Sequence, residues 1–221
     1  AGRISLPLAL RCKQVINVDP SQAMGAGFMA NAAKAGLTNA QFIAGDWEAV
    51  EPPRGTVALV NNVTYMTRGI VSFIEKLEQA GPQRVIITVS APPPPSRNRV
   101  LYELVHGEVE AVVPGHGELM DVLWEMGRLP DLRVLAGFGG AVALPSPTRE
   151  AAINSALVNF NSDQWTFWPL GAPLEGRMRS LLNERFDELF AAGPDGFSPT
   201  WPLGGREVLI TWRPGIDRSV G

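Results

Sequence analysis

Apolar residues in this chain follow two rhythms, short near-continuous runs and longer stretches spaced three or four apart, and through the first 90 residues the two alternate. The runs at Val15–Asp19, Ala40–Asp46, Thr56–Asn61 and Arg84–Val89 read as strands, the last continuous enough to be buried on both faces as a parallel sheet requires. Between them, Ser21 can cap a helix to about Ala35 with Met24, Phe28, Met29 and Ala32 on one side, and Gly36 stops it. A second helix over Gly69–Gln79 carries the stripe Ile70, Phe73, Ile74 and Leu77 and ends at Gly81-Pro82. Residues 3–11 read as a short first helix with Pro7 in its opening turn, and Pro52-Pro53-Arg54-Gly55 as a turn. Strand, helix, strand at this rhythm predicts right-handed βαβ units, with the four strands parallel in one sheet. Gly25 and Gly27 inside the Ser21 helix each cost about 1 kcal/mol relative to Ala, so close packing or function has to explain them.

The rhythm breaks at Ala91-Pro92-Pro93-Pro94-Pro95-Ser96, which predicts a stiff extended segment. Beyond it, helices are expected at about Arg97–His106, Gly117–Met126, Pro147–Phe160 and Pro173–Ala192, and strands at Leu132–Ala136 and Arg206–Trp212. The expected architecture is a Rossmann-like, doubly wound, mostly parallel α/β sheet with a helical insertion in the C-terminal half. A chain of 221 residues suits one domain, here residues 1–90 as a cofactor-binding half and 91–221 as a half with a helical cap before the final strand 206–212.

Composition removes several function classes. The net charge of −3, without a basic run, argues against nucleic acid as a partner. One cysteine, Cys12, excludes an internal disulfide, and with two histidines it makes no convincing zinc set, so no metal and a cytoplasmic location are expected. No apolar run approaches the length of a membrane span.

The candidate chemistry gathers at strand ends. Asp19 closes an apolar strand and opens a helix, where a carboxylate can take both hydroxyls of a ribose or simply cap the helix. Gly2 lies seventeen positions before it, close to the roughly 20 expected between a Gly-rich turn and its ribose acid. Asp46 and Trp47 follow the next strand, where the indole can cover an adenine face. Asn61 and Asn62 end the third strand, and a buried amide there needs a partner, because leaving it unsatisfied costs about 1–3 kcal/mol. Tyr65 can line the same cleft. His106 and His116, both in glycine-flanked loops, can act as bases near neutral pH or be ordinary solvated histidines. The aromatics Trp124, Phe160, Trp165, Phe167, Trp168, Phe197 and Trp201 read as the insertion's core or as the wall of an apolar pocket.

In order and content these motifs resemble those of class I S-adenosylmethionine-dependent methyltransferases over about residues 1–90. Ala1-Gly2 matches the end of that family's glycine motif, Asp19 its ribose acid, Gly45-Asp46-Trp47 its adenine motif, and Val57–Asn62 its fourth strand. The resemblance implies S-adenosylmethionine as cofactor, held by Gly2, Asp19, Asp46, Trp47, Asn61 and Asn62, and methyl transfer to a small, partly apolar molecule. It also implies a strand and two glycines ahead of Ala1, so the sequence reads as truncated. On that reading the strands bearing Asp19 and Asn61 face a gap or collapse together, and the chain binds the cofactor poorly and aggregates. The missing catalytic triad is expected, because a sulfonium is already an activated electrophile. The alternatives are an NAD(P)-dependent oxidoreductase, in whose fingerprint Ser5 would replace the third glycine, and a non-catalytic relative of the same fold.

Overall fold

The computed structural model describes residues 1–109, 113–135, 144–162, 172–201 and 205–215. The chain divides into two compact units, Ala1–Ala58 with Gly69–Val85, and Leu59–Arg68 with Ile86–Gly221.

The first unit opens on the short helix α1 (Ser5–Ala9), confined to the centre of the expected 3–11 stretch. Strand β1 (Val15–Asp19) leads into α2 (Gln22–Lys34), where the Ser21 hydroxyl accepts the Met24 N–H at 3.2 Å as the expected cap. Strand β2 (Ala40–Ala44) lies parallel to β1 in direct register, Val15 opposite Ala40 and Asp19 opposite Ala44. Phe28, Ala32 and Ala40 form the buried centre, with Leu6, Leu37 and Phe42 packed on it. This packing accounts for Gly25, where a Cβ would stand 2.2 Å from the Phe42 ring; at Gly27 a Cβ would meet only the Ala1 Cβ, at 3.3 Å, among the described residues. Helix α3 (Ile70–Ala80) buries Phe73, Ile74 and Leu77 of the expected stripe together with Ala80, while Ile70 is half-buried.

Strands β3 (Val57–Asn61) and β4 (Arg84–Ala91) begin in the first unit and end in the second. They run in the same direction, since the Gln83 N–H meets the Thr56 carbonyl at one end and the Asn62 N–H meets the Thr88 carbonyl at the other. The expectation of one sheet for all four strands is corrected here. Among the described residues β1 and β2 form a two-stranded sheet, while β3 and β4 belong to a four-stranded sheet ordered β3-β4-β8-β5. Apolar runs specify that strands exist, whereas partners depend on which backbone edges meet, and among the described residues no hydrogen-bonded ladder joins β1 to β3.

In the second unit the proline run does not stay extended. Pro93 keeps polyproline angles, φ −52° and ψ 142°, but Pro94–Asn98 turns as a 3-10 helix, because proline's fixed φ also suits a first helical turn. It feeds α4 (Arg99–His106), and α5 (His116–Glu125) follows. Strand β5 (Asp131–Val134) pairs antiparallel with β8 (Arg206–Trp212), although more than 70 residues separate them. Into that interval are set α6 (Arg149–Ser162), α7 (Ala172–Glu184), α8 (Phe186–Leu189) and an antiparallel hairpin of β6 (Phe190–Gly193) and β7 (Gly196–Pro199).

The single helix expected over Pro173–Ala192 is therefore corrected. It breaks at Arg185, and its last residues are a strand turned by Gly193-Pro194-Asp195-Gly196, a turn cluster that the helical reading passed over. Gly196 has φ +123°, and a Cβ there would stand 2.2 Å from the Ser146 carbonyl oxygen. Leu101, Val105, Ile153, Met178, Leu182 and Phe186 are buried together in this unit's core. Phe160, Phe197 and Trp201 join that core as expected, whereas Trp124 is 56% exposed. Trp165, Phe167, Trp168 and Ala136 lie outside the described residues. No helix among the described residues is long and apolar enough to cross a membrane.

Candidate functional site

Two clusters of polar side chains stand at strand ends, one in each unit. In the first, the register of β1 against β2 puts Asp19 and Asp46 at the same carboxyl rim, Asp19 opposite Ala44 and Asp46 two residues beyond it. The Gly45 N–H bonds the Asp19 carbonyl at 3.2 Å and ties the two strand ends together. Asp19 Oδ1 accepts the Ser21 N–H at 2.8 Å, so the carboxylate is steered by the turn that starts α2. Among the described residues its second oxygen takes no protein hydrogen bond and is available to a ligand hydroxyl. Asp46 is exposed and accepts the Glu48 N–H through Oδ1 at 2.9 Å.

Trp47 is half-buried. Its ring meets Phe73 edge-on at 6.2 Å, and the Lys76 ammonium lies 5.5 Å from its centroid while donating to the Glu48 carbonyl at 3.0 Å. Among the described residues its buried indole N–H has no partner. Gly2 has φ +78° at the entrance to α1, and its carbonyl accepts the Leu6 N–H at 3.0 Å. A Cβ at Gly2 would lie 2.6 Å from Leu6 and 3.0 Å from Phe28, so packing as well as conformation demands glycine there.

The second cluster lies wholly in the second unit. Asn62 follows β3 with φ +55°, a left-handed conformation that asparagine tolerates better than most residues. Its Oδ1 accepts the Tyr65 hydroxyl at 2.7 Å and the Ser90 N–H at 2.9 Å, and its Nδ2 donates to Glu207 Oε1 at 3.4 Å. The Ser90 N–H is shared with the Tyr65 oxygen, and the Ser90 hydroxyl donates to Glu207 Oε1 at 2.5 Å, the length of a charge-assisted bond. Asn61 Oδ1 accepts the Thr88 hydroxyl at 2.7 Å. Among the described residues Asn62 Oδ1 thus takes two donors and Asn61 Oδ1 one.

The reason for this convergence is burial. Ser90 is 2% and Tyr65 6% exposed, and buried polar groups persist only where they are paired. Burial pushes the Tyr65 phenol above its usual 10.0; hydrogen bonds to Ser90 oppose the shift, the charge of Glu207 adds to it and that of Arg97 opposes it. Tyr65 therefore keeps its proton at neutral pH and acts here as a donor. Glu207 Oε2 and Arg97 Nε are buried without a partner among the described residues.

The histidines do not sit in loops. His106 is the last residue of α4, with its ring 4.3 Å from that of Tyr102 one turn earlier, and His116 is the first residue of α5. Helical continuation up to Gly107, whose φ of +73° ends α4, absorbs the first. Helix α5 absorbs the second, its start fixed by Glu118 accepting the Gly115 N–H at 2.7 Å. That bond, first, holds the Glu118 carboxyl below its usual 4.5.

Sequence reasoning missed Thr88, Ser90, Arg97 and Glu207. Ser90 had a signal, as a hydroxyl ending an otherwise apolar strand. Glu207 had none, because it reaches Asn62 only through the strand order β3-β4-β8.

In the comparison with solved structures, the chain shares its fold with a candidate methyltransferase of Bacillus halodurans, at 8% identity over 95% of this chain and 87% of that one, TM-score 0.55. The YcgJ protein of Bacillus subtilis is similar at 14% identity over 95% of this chain and 86% of that one, TM-score 0.54. A S-adenosylmethionine-dependent methyltransferase of Thiobacillus denitrificans, crystallised with S-adenosyl-L-homocysteine, aligns at TM-score 0.47 with 14% identity over 96% of this chain and 81% of that one. No protein-family model matches the sequence, and no curated protein matches it.

Proposed function

We propose that this chain, which has the class I methyltransferase fold, binds S-adenosylmethionine and transfers its methyl group to a small, partly apolar acceptor. The observation that carries the reading is the acid rim of the first unit, a parallel strand pair that ends on Asp19 and, two residues past its partner strand, on Asp46. A carboxylate oriented by the Ser21 N–H, with its other oxygen available, suits the vicinal hydroxyls of a ribose. Asp46 and Trp47 suit the adenine, Asp46 by accepting from its amino group and Trp47 by apolar contact. Gly2 stays in the reading as the glycine of the turn, and Asn61 and Asn62 stay as candidate cofactor-binding amides.

When bound, the cofactor supplies a methyl group already activated by its sulfonium. The residues of this chain then have chiefly to bind, align and exclude water. A neutral Tyr65 fits this economy, holding Asn62 rather than removing a proton. The fold comparison does not favour a dinucleotide-dependent oxidoreductase. The acidic pI near 5.5 and the single exposed Cys12 suit a cytoplasmic protein acting on a small molecule.

Calorimetric titration with S-adenosylmethionine, S-adenosylhomocysteine and NAD tests the reading. Saturable binding of the first two supports the reading, and either at 100 times its Kd should add about 2.7 kcal/mol of stability. Binding of NAD alone, or of none of the three, overturns the reading.

A further inference from the structure

Strand β5 closes the four-stranded sheet on one side, and among the described residues its outer edge has no partner. Which backbone groups face that edge follows from the register against β8. The Leu135 N–H bonds the Glu207 carbonyl at 2.8 Å, and in an antiparallel pair every second residue turns its N–H and C=O the same way. Arg133 and Asp131 therefore direct theirs to β8, opposite Leu209 and Thr211, whereas Leu132 and Val134 point theirs outward. All four residues of the strand are exposed. Open edges are usually protected by charges that repel a second strand. Here the charges invite one, because Asp131 and Arg133 have opposite signs and stand two residues apart on one face of the strand. On the other face Leu132 is 40% and Val134 52% exposed, and Leu129, just ahead of the strand, is 55% exposed.

We propose that β5 is the contact of a symmetric homodimer, paired antiparallel with β5 of a second copy about a twofold axis at Leu132. In that register Leu132 lies opposite Leu132 of the second copy and the two exchange both backbone hydrogen bonds, while each Val134 N–H meets the Pro130 carbonyl across the axis. Asp131 falls directly opposite Arg133 of the second copy, once on each side of the axis, in the closely spaced kind of pair where cross-strand side chains interact. The same charges reject the neighbouring registers. A shift of two residues one way sets Arg133 against Arg133, and the other way Asp131 against Asp131. A shift of one residue would match the outward groups of one copy with groups already bonded to β8 in the other. The pairing joins the two four-stranded sheets edge to edge and lays Leu132 against Leu132. It asks nothing of the cofactor, so it stands or falls apart from the methyltransferase reading.

Sedimentation equilibrium of the full chain over a range of concentrations reads the dimer directly. A concentration-dependent dimer is expected. Arg133→Asp sets acid against acid and Asp131→Arg sets guanidinium against guanidinium, so each should raise the dimer Kd about tenfold or more. The double variant, with the two charges exchanged, should return the Kd to within about threefold of the native value, because the pair is restored in reverse. Both side chains are exposed, so the fold should survive each change, as circular dichroism will show.

Amide exchange reads the backbone half of the contact. The Leu132 and Val134 N–H groups should exchange about tenfold more slowly at concentrations where the dimer forms than in the dilute chain. A monomer at every concentration, a dimer indifferent to both single variants, a double variant no better than the singles, or Leu132 and Val134 amides left unprotected in the dimer overturns the proposal.

Discussion

The acid rim of β1 and β2 and the amide rim of β3 and β4 are assembled by opposite means. Asp19 and Asp46 are each oriented by an N–H two residues further on, so a pentapeptide already contains the instruction. Asn62 is oriented by Ser90 and Glu207, at separations of 28 and 145 residues, so its geometry exists only once three strands have been placed side by side. A local device can be removed with little effect on folding, whereas a long-range one is part of what folding achieves. That difference tells where a substitution should show first, in ligand affinity at one rim and in stability at the other.

The sharpest test of the long-range side is its core. Phe186 is 1% exposed, stacked on Phe190 at 4.6 Å, edge-on to Phe197 at 5.0 Å, with the Arg149 guanidinium 4.3 Å from its ring. Phe186→Ala should cost about 3–5 kcal/mol in urea unfolding, and a loss near zero would break the picture of a second unit held by distant contacts. Next comes Asp19→Ala, expected to weaken S-adenosylmethionine binding by about 1.5–3 kcal/mol while the melting temperature stays close to that of the native chain. An unchanged calorimetric Kd in a folded Asp19→Ala protein removes Asp19 from the site.

Tyr65→Phe should cost about 1–2 kcal/mol, because it leaves Asn62 Oδ1 and the Ser90 N–H each one partner short inside the protein. It should also change the pH profile. Since burial raises the folded phenol's pKa, the folded state binds that proton more tightly than the unfolded one. The contribution is complete below pH 10.0 and is lost as pH climbs through the folded value. Stability curves from pH 9 to 11 should therefore fall less steeply for Tyr65→Phe, and parallel curves would contradict the buried phenol. The smallest effect belongs to Ser21→Ala, about 1 kcal/mol for a lost helix cap, read from thermal unfolding. A cost comparable to that of Phe186→Ala would show that the local rim is not local after all.

The sequence by itself determined the elements whose cause lies within one turn or one strand. Ser21 as a cap, the Phe73 stripe, the Arg206–Trp212 strand and Asp19 at a strand end each follow from neighbouring residues, and each is present. It misjudged stretches where two local readings compete. The Pro94–Asn98 turn could equally have been extended, and Phe190–Gly193 has helical spacing but pairs with Gly196–Pro199 across a proline turn. Only the tertiary structure decided which strand edges meet, and hence that β1 and β2 pair apart from the four-stranded sheet and that Glu207 reaches Asn62. Periodicity reports which face of an element is buried, but a hydrogen-bonded partner 145 residues away leaves no periodic trace. Its position depends on strand order, which is set by the burial of all the strands together.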